Sequence, residues 1–289
     1  MQLLKFININ DFLNNAEKTL LQDEAANNLI LGTCYRLQKQ EVLEDGAPFL
    51  SIILDNKDDI LLIGVITPPR NLMIHVNSDY ELDSSLNLLS KELIQIDPNL
   101  PGILAKPEVG RQFAEIWTNM TSKSFQTHLE QRVFELRKVI HPENSVGYLR
   151  LATTEDLELA TQWTYEFVRE ALSESDLESA QKSALRKIKN EELYLWMVND
   201  PVSMVARARP TKNMIAVNAV YTPPKYRKRG YASASVAALS QKLLDSGYRS
   251  CVLFTDLSNP TSNKIYQNIG YKPVCDYTSY KFSVPDTLF

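Results

Sequence analysis

One stretch constrains this chain more than any other: Val220-Tyr221-Thr222-Pro223-Pro224-Lys225-Tyr226-Arg227-Lys228-Arg229-Gly230-Tyr231-Ala232-Ser233. The apolar run 214–221 reads as a buried strand, and two prolines stop it. A basic loop follows, and an amphipathic helix begins at about Gly230. The first N–H groups of a helix have no partner inside it and lie at the positive end of its dipole. Gly230 lets a ligand approach that backbone, because no side chain stands in the way. Arg227, Lys228 and Arg229 add positive charge beside it. A strand, a tight basic loop and a helix start make an anion site, and phosphate suits it. The P-loop and the three-glycine dinucleotide fingerprint are excluded, since Gly230 is the only glycine present. A basic turn that merely caps a helix is the plainer reading.

A second patterned segment follows. Residues 250–255 read as another buried strand, and Asn259 to Tyr271 come after it. Asn259 suits an N-cap, Pro260 a first helical position, and Gly270 the left-handed residue just past a helix end. Taken together, Arg227-x-x-Gly230-x-Ala232 and the series Asn259, Ser262, Tyr266, Gly270 and Tyr271 resemble the GNAT superfamily of acyl-CoA-dependent N-acyltransferases. Ser262 stands where that family usually has alanine. The resemblance covers roughly residues 146–289.

The resemblance implies acetyl-CoA as co-substrate and no metal. Its cofactor site would comprise Val220, Tyr221, Thr222, Arg227, Lys228, Arg229, Gly230, Tyr231, Ala232 and Ser233, with Asn259 and Ser262 added. Asn259 would touch the pantetheine arm as well as cap its helix. The implied reaction moves an acyl group, acetyl first of all, to the primary amine of a small molecule or peptide. Backbone N–H groups on the strand ending at Val220 would serve the oxyanion. Tyr266 would protonate the departing thiolate; its other reading is packing with Ile265 and Ile269. No general base is visible, since the strand before the loop offers Asn218 and no carboxylate. Glu166, Glu170 and Glu174 lie on the first helix of this half, where the family often lines its acceptor site; a solvated helix face is the alternative.

The C-terminal half parses as β-α-α-β-β-β-α-β-α-β, the order of the superfamily fold. Its first helix is capped at 154–156 and carries Leu157, Ala160, Trp163, Phe167 and Leu172 on one face. The N-terminal half echoes this order: 13–40 looks helical, 49–55 and 60–66 form a hairpin, and 71–77 is a strand. Met-Ile-x-Val-Asn recurs in 73–77 and 214–218, and a helix follows each time. Asn77-Ser78-Asp79-Tyr80-Glu81-Leu82-Asp83 replaces the basic loop; it has no glycine and three acids, which repel pyrophosphate. The expected fold class is therefore α+β, with two tandem GNAT-like domains. Each would be a mixed, mostly antiparallel sheet flanked by helices. Residues 1–140 form a degenerate domain, 146–289 the acetyltransferase domain, and 140–145 the linker. The first domain either shapes a substrate site or only buries a face of the second, and a monomer is plausible because the two can pair within one chain.

Composition narrows the classes. A net charge of −4 and a basic run confined to 225–229 argue against nucleic acid as a partner. No apolar run reaches membrane-spanning length, and the N-terminus lacks signal-peptide order. Cys34, Cys251 and Cys275 are few and scattered, which points to a reducing cytoplasm. His75, His128 and His141 are far apart, and nothing has metal-ligand spacing. Two other functions stay open: a CoA-binding regulatory or interaction protein without catalysis, and a transferase of an aminoacyl or thiol-biosynthetic pathway.

Overall fold

Twice along the chain the order is strand, two helices, three strands, helix, strand, helix, strand. The first round consists of β1 (Gln2–Phe6), α1 (Ile9–Leu20), α2 (Asn28–Gln38), β2 (Phe49–Leu54), β3 (Ile60–Ile66), β4 (Leu72–Val76), α3 (Leu82–Ile96), β5 (Gly102–Ala105), α4 (Pro107–Thr121) and β6 (Ser124–Leu136). The second consists of β7 (Tyr148–Leu151), α5 (Leu157–Leu172), α6 (Leu177–Lys189), β8 (Leu193–Val198), β9 (Asp200–Ala208), β10 (Met214–Tyr221), α7 (Tyr231–Asp245), β11 (Ser250–Asp256), α8 (Pro260–Ile269) and β12 (Lys272–Ser283). This computed structural model describes residues 1–39, 46–143, 146–172 and 176–284. Gln40, Asn144 and Ser145 of the expected helix and linker, together with Glu174 and Ser175, lie outside the described residues, as does the side chain of Leu172.

The chain divides into two compact units. The N-terminal unit holds residues 1–133, 256–258 and 274–289; the C-terminal unit holds 134–255 and 259–273. The sequence reading divides the chain at 140–146 instead, and the difference lies in the closing strands. Tyr280 and Phe282 of β12 lie in the N-terminal core beside Phe113 and Trp117, and β12 pairs antiparallel with β5. Phe134 and Leu136 of β6 lie in the C-terminal core with Cys251 and Leu253. Val133, Phe134 and Leu136 of β6 and Tyr277, Tyr280 and Phe282 of β12 are buried, and apolar side chains of this kind fit either unit and leave the exchange invisible in sequence.

In the N-terminal unit β1, β2, β3 and β4 pair antiparallel, and β4 and β5 pair parallel. The side chains of β3 alternate between two cores. Leu62 packs among α3 and α4 residues such as Leu89 and Phe113, while Ile63 and Val65 pack among Phe12, Leu20 and Leu31 of α1 and α2. In the C-terminal unit β7, β8, β9 and β10 pair antiparallel, and β10 and β11 pair parallel. Trp163, Ala160 and Ile188 of α5 and α6 fill one core, and Val236, Leu239 and Tyr266 of α7 and α8 fill the other. Each fully buried aliphatic or aromatic side chain contributes about 1.5–3 kcal/mol of hydrophobic stabilisation.

Three local details differ from the sequence reading. The expected helix over 13–40 is broken: α1 passes into a 3-10 turn at Leu21–Asp23, and α2 restarts at Asn28. The break is built from polar groups, since buried Asn27 donates to Leu20 O at 2.9 Å. The cap ahead of α5 is Thr153, whose capping box with Asp156 starts the 3-10 turn Thr154–Asp156. And β1, read only as a terminus without signal order, is the first strand of the round.

Candidate active site

The site is built where β10 stops being a regular strand. Against β9 the ladder is regular as far as Asn218 and shifts register before Tyr221, with Ala219 left-handed at φ 49°. A non-glycine residue at positive φ is uncommon, and here it marks a bulge. On the other side, β10 pairs with β11 at Met214, Ile215 and Ala216 only, opposite Ser250, Cys251 and Val252. Among the described residues no rung joins the two strands beyond Ala216, although both continue. The backbone of Val217 to Tyr221 therefore faces a gap between parallel strands. Asn218 lies on this stretch, its Oδ1 buried and without a hydrogen-bond partner among the described residues.

The loop beyond β10 is held at both ends. Ser203 Oγ donates to Tyr221 O at 3.0 Å and lies 2.9 Å from Thr222 Oγ1. Pro224–Tyr226 form a 3-10 turn, and Lys228 takes φ 61°. Gly230 is the left-handed N-cap of α7 at φ 81°, and a Cβ there would meet no atom within 4 Å. The first intrahelical bond runs from Ala234 N to Gly230 O at 2.9 Å. The N–H groups of Tyr231, Ala232 and Ser233 thus have no carbonyl within the helix and stand at its positive end. Lys228 and Arg229 are exposed, and neither forms an ion pair among the described residues. These features fit a diphosphate: open space at the glycine, free N–H groups, and two uncommitted cations.

Arg227 behaves differently from its neighbours. Its Nε donates to Thr222 O at 2.8 Å, and its Nη2 reaches both Glu170 carboxylate oxygens at 2.9 and 2.7 Å. Its guanidinium lies 5.8 Å from the centre of the Tyr221 ring. The Tyr221 hydroxyl donates to Glu166 Oε2 at 2.7 Å and lies 3.5 Å from Glu170 Oε1. Glu166 also accepts from Gln162 Nε2 at 2.8 Å. That bond and the one from Tyr221 hold its carboxyl below the usual range, against an opposing effect of burial. Burial, then the bond to Glu166, pushes the Tyr221 phenol well up. Sequence reasoning placed Glu166 and Glu170 on the right helix but missed this network. Helical spacing puts 166 and 170 on one face; the bulge that turns Tyr221 toward them carries neither glycine nor proline.

Asn259 caps α8, its Oδ1 accepting from Ser262 N at 3.0 Å, with Pro260 as first helical residue. Gly270 closes the helix at φ 108°, and a Cβ there would lie 2.8 Å from Lys138 O. Tyr271 is buried, its hydroxyl 2.8 Å from Ser240 Oγ, so the glycine-aromatic pair anchors the helix end in the core. Tyr266 is 8% exposed and packs edge-on to Tyr271 in the cluster that contains Ile215 and Val217 of β10. Burial pushes its phenol up to about 12, so it is protonated at neutral pH. Among the described residues no group of three His, Cys, Asp or Glu side chains could hold a metal ion, and no helix is long and apolar enough to cross a membrane.

The N-terminal unit has the corresponding strand pair without the loop. There β4 and β5 share two rungs, Leu72 with Ile103 and Met73 with Leu104. Glu81 is the left-handed N-cap of α3 at φ 56°. An open cavity of about 790 Å³ adjoins it, lined among others by Asp55, Asp58, Asp59 and Glu81 against Lys18 and Lys57.

Residues 186–280 match the family model described as FR47-like protein. No curated protein is significantly similar in sequence. Among solved structures, a Drosophila protein superposes with a TM-score of 0.71 at 11% identity, covering 98% of each chain. A GCN5-related N-acetyltransferase from Sphaerobacter thermophilus gives 0.62 at 15% identity over 97% of this chain and 95% of its own. A GNAT-family acetyltransferase from Colwellia psychrerythraea gives 0.59 at 10% identity over 98% and 100%. At these identities the likeness is one of fold.

Proposed function

We propose that the chain is an acyl-CoA-dependent N-acyltransferase of the GNAT kind, whose C-terminal unit transfers an acyl group from CoA to a primary amine with acetyl-CoA as donor; the FR47-like match over residues 186–280 and the shared fold support this reading. The observation that carries this reading is the end of the β10–β11 ladder at Ala216 and Val252, together with the free N–H groups at the start of α7, the next helix after β10. Such a gap offers unpaired backbone groups to a pantetheine arm, as a sheet edge does to an added strand. The diphosphate would sit at Gly230, Tyr231, Ala232 and Ser233, with Lys228 and Arg229 beside it and Arg227 within the loop. Val220, Tyr221 and Thr222 would border the arm, with Asn259 and Ser262 on the α8 side. The N-terminal unit, with acids at the corresponding loop, would leave acyl-CoA alone.

The chemistry asks for three things. A neutral amine must reach the thioester carbonyl, its oxyanion needs a donor, and the thiolate needs a proton. Backbone N–H groups of β10 facing the gap are preorganised donors. Tyr266, protonated and buried beside the β10 residues of its cluster, would supply the proton. No carboxylate lies on β10, so the amine would lose its proton through water or toward Glu166, which is ionised at neutral pH. The lack of a carboxylate on β10 also favours a second reading, a CoA-binding protein without turnover.

A thiol-release assay with acetyl-CoA and a broad panel of amines separates the two. Thiol released above the hydrolysis background with any amine supports the transferase. CoA binding without release across the panel supports the second reading. Absence of CoA binding by calorimetry would sink both.

A further inference from the structure

Arg227 is the first basic residue of the loop that, on the reading above, receives the donor's diphosphate. In the structure it is already spoken for. Both oxygens of Glu170 lie within 2.9 Å of its Nη2, and among the described residues the other acceptor it meets is its own loop's Thr222 O. Lys228 and Arg229, the next two residues, carry no such partner among the described residues. The charge of Arg227 is therefore cancelled locally, and a carboxylate stands where two phosphate charges would arrive. A Glu170 carboxylate and a diphosphate cannot both gain fully from one guanidinium, and they repel each other.

We propose that Glu170 is a built-in rival of the donor's diphosphate for Arg227, and so lowers the affinity for acyl-CoA. The position of Glu170 gives that rivalry a purpose. Its Oε1 lies 3.5 Å from the Tyr221 hydroxyl, which already binds Glu166 at 2.7 Å. When the diphosphate takes Arg227, Glu170 is left as a second free carboxylate beside Glu166, a pair that favours a cationic acceptor. The donor thereby prepares the acceptor side. Side-chain exposures of 43% for Arg227 and 42% for Glu170 mark a solvent-screened pair, so its effect on affinity is modest.

The test is CoA titrated calorimetrically into the full chain and into E170Q at low ionic strength. E170Q keeps the shape and removes the charge; it should bind CoA about two- to fivefold more tightly, the scale of an exposed ion pair. E170A should show the same gain, and both variants should melt like the parent. The gain should shrink at high salt, where exposed charges are screened. It should vanish when E170Q is combined with R227Q, because no guanidinium remains to be fought over. CoA bound by E170Q no better than by the parent, or worse, would mean that Glu170 holds Arg227 ready for phosphate, and the rivalry would be overturned. That result is distinct from a parent that binds no CoA, which takes down the donor reading itself.

Discussion

Glu81 and Gly230 stand at the same point of two strand-turn-helix units. Each follows the third consecutive strand of its round, each is the N-cap of the next helix, and each has left-handed backbone, at φ 56° and 81°. The parallel strand pair beside each is joined by only a few rungs, two in one unit and three in the other. The backbone plan is therefore shared, and the difference is in what the turn carries. Residues 77–80 separate β4 from Glu81, and none is basic; residues 222–229 separate β10 from Gly230, and four are basic. The helices that close the parallel pair differ in the same way. Both α4 and α8 begin on proline, and the seventh residue is Phe113 in one and Tyr266 in the other, both buried. On the function proposed above, a fold of this kind does not make an acyl-CoA site by itself; loop length, charge and one hydroxyl would decide it.

The comparison is broken most severely by Gly230→Glu, which gives the C-terminal unit the residue of its counterpart. The new side chain meets no protein atom within 4 Å at its Cβ. Its cost to folding is thus the left-handed backbone alone, about 1–2 kcal/mol. Its carboxylate, however, would stand beside the diphosphate in the site proposed above. CoA binding should fall at least about 100-fold, the scale of adding a like charge in a partly desolvated site. Calorimetry on the folded variant checks it, and unchanged affinity would remove Gly230 from the site.

Tyr266→Phe makes the same exchange in the helix. The ring and its edge-on contact with Tyr271 are kept, and one hydroxyl is lost. If Tyr266 protonates the thiolate, kcat should fall by roughly 100-fold with CoA affinity intact. A kcat within about threefold of the parent, measured with an amine found in the panel or as slow hydrolysis of acetyl-CoA, would leave Tyr266 as core.

Much of this contrast was legible in sequence, and the reasons differ by residue. Gly230, Asn259 and Gly270 were readable because their roles are local: an N-cap, a proline start and a left-handed end follow from neighbours in the chain. The missing basic loop of residues 77–83 was readable for the same cause. The bulge at Ala219 was not, since alanine gives no signal of positive φ and the distortion answers to packing against β9. Nor was the Arg227–Glu170 pair, 57 residues apart, in which a residue assigned to phosphate has a protein partner. The placement of β12 in the N-terminal unit lay beyond reach because nothing local in its sequence names the strand it pairs with, β5, about 175 residues earlier.

The two units also differ in the pH at which they should strengthen. Among the described residues each buries one basic group. Burial, with help from Lys106 and against Asp23, pulls His75 on β4 down to about 4 from 6.5. Burial, with help from Arg186 and against Glu192, pulls Lys187 on α6 down to about 8 from 10.5. In both cases the unfolded chain holds the extra proton between the two values, so stability rises with pH there. For the N-terminal unit the window is about pH 4 to 6.5, and for the C-terminal unit about pH 8 to 10.5. Each shift, about 2.5 pH units, corresponds to roughly 3 kcal/mol at most. Hydrogen exchange resolved by unit should show the two rises separately. Lys187→Met should flatten the alkaline one and stabilise the C-terminal unit at neutral pH, and a slope that survives it would belong to another group.

The smallest expected effect is the most exacting test of the comparison. Glu81→Gly gives the N-terminal unit the glycine it lacks at the N-cap of α3. It relieves a left-handed glutamate, so that unit should gain about 1 kcal/mol, seen as a small rise in its melting temperature. It should gain no CoA site. The turn keeps Asp79 and acquires no cation, residues 77–80 are half the length of residues 222–229, and Phe113 still occupies the seventh position of α4. Calorimetric stoichiometry should stay at one CoA per chain in the parent and in the variant. A second site in the parent would mean that the acidic turn binds donor after all. A second site in Glu81→Gly alone would reduce the whole difference between the units to one carboxylate, and the weight placed on loop length and charge would fall with it.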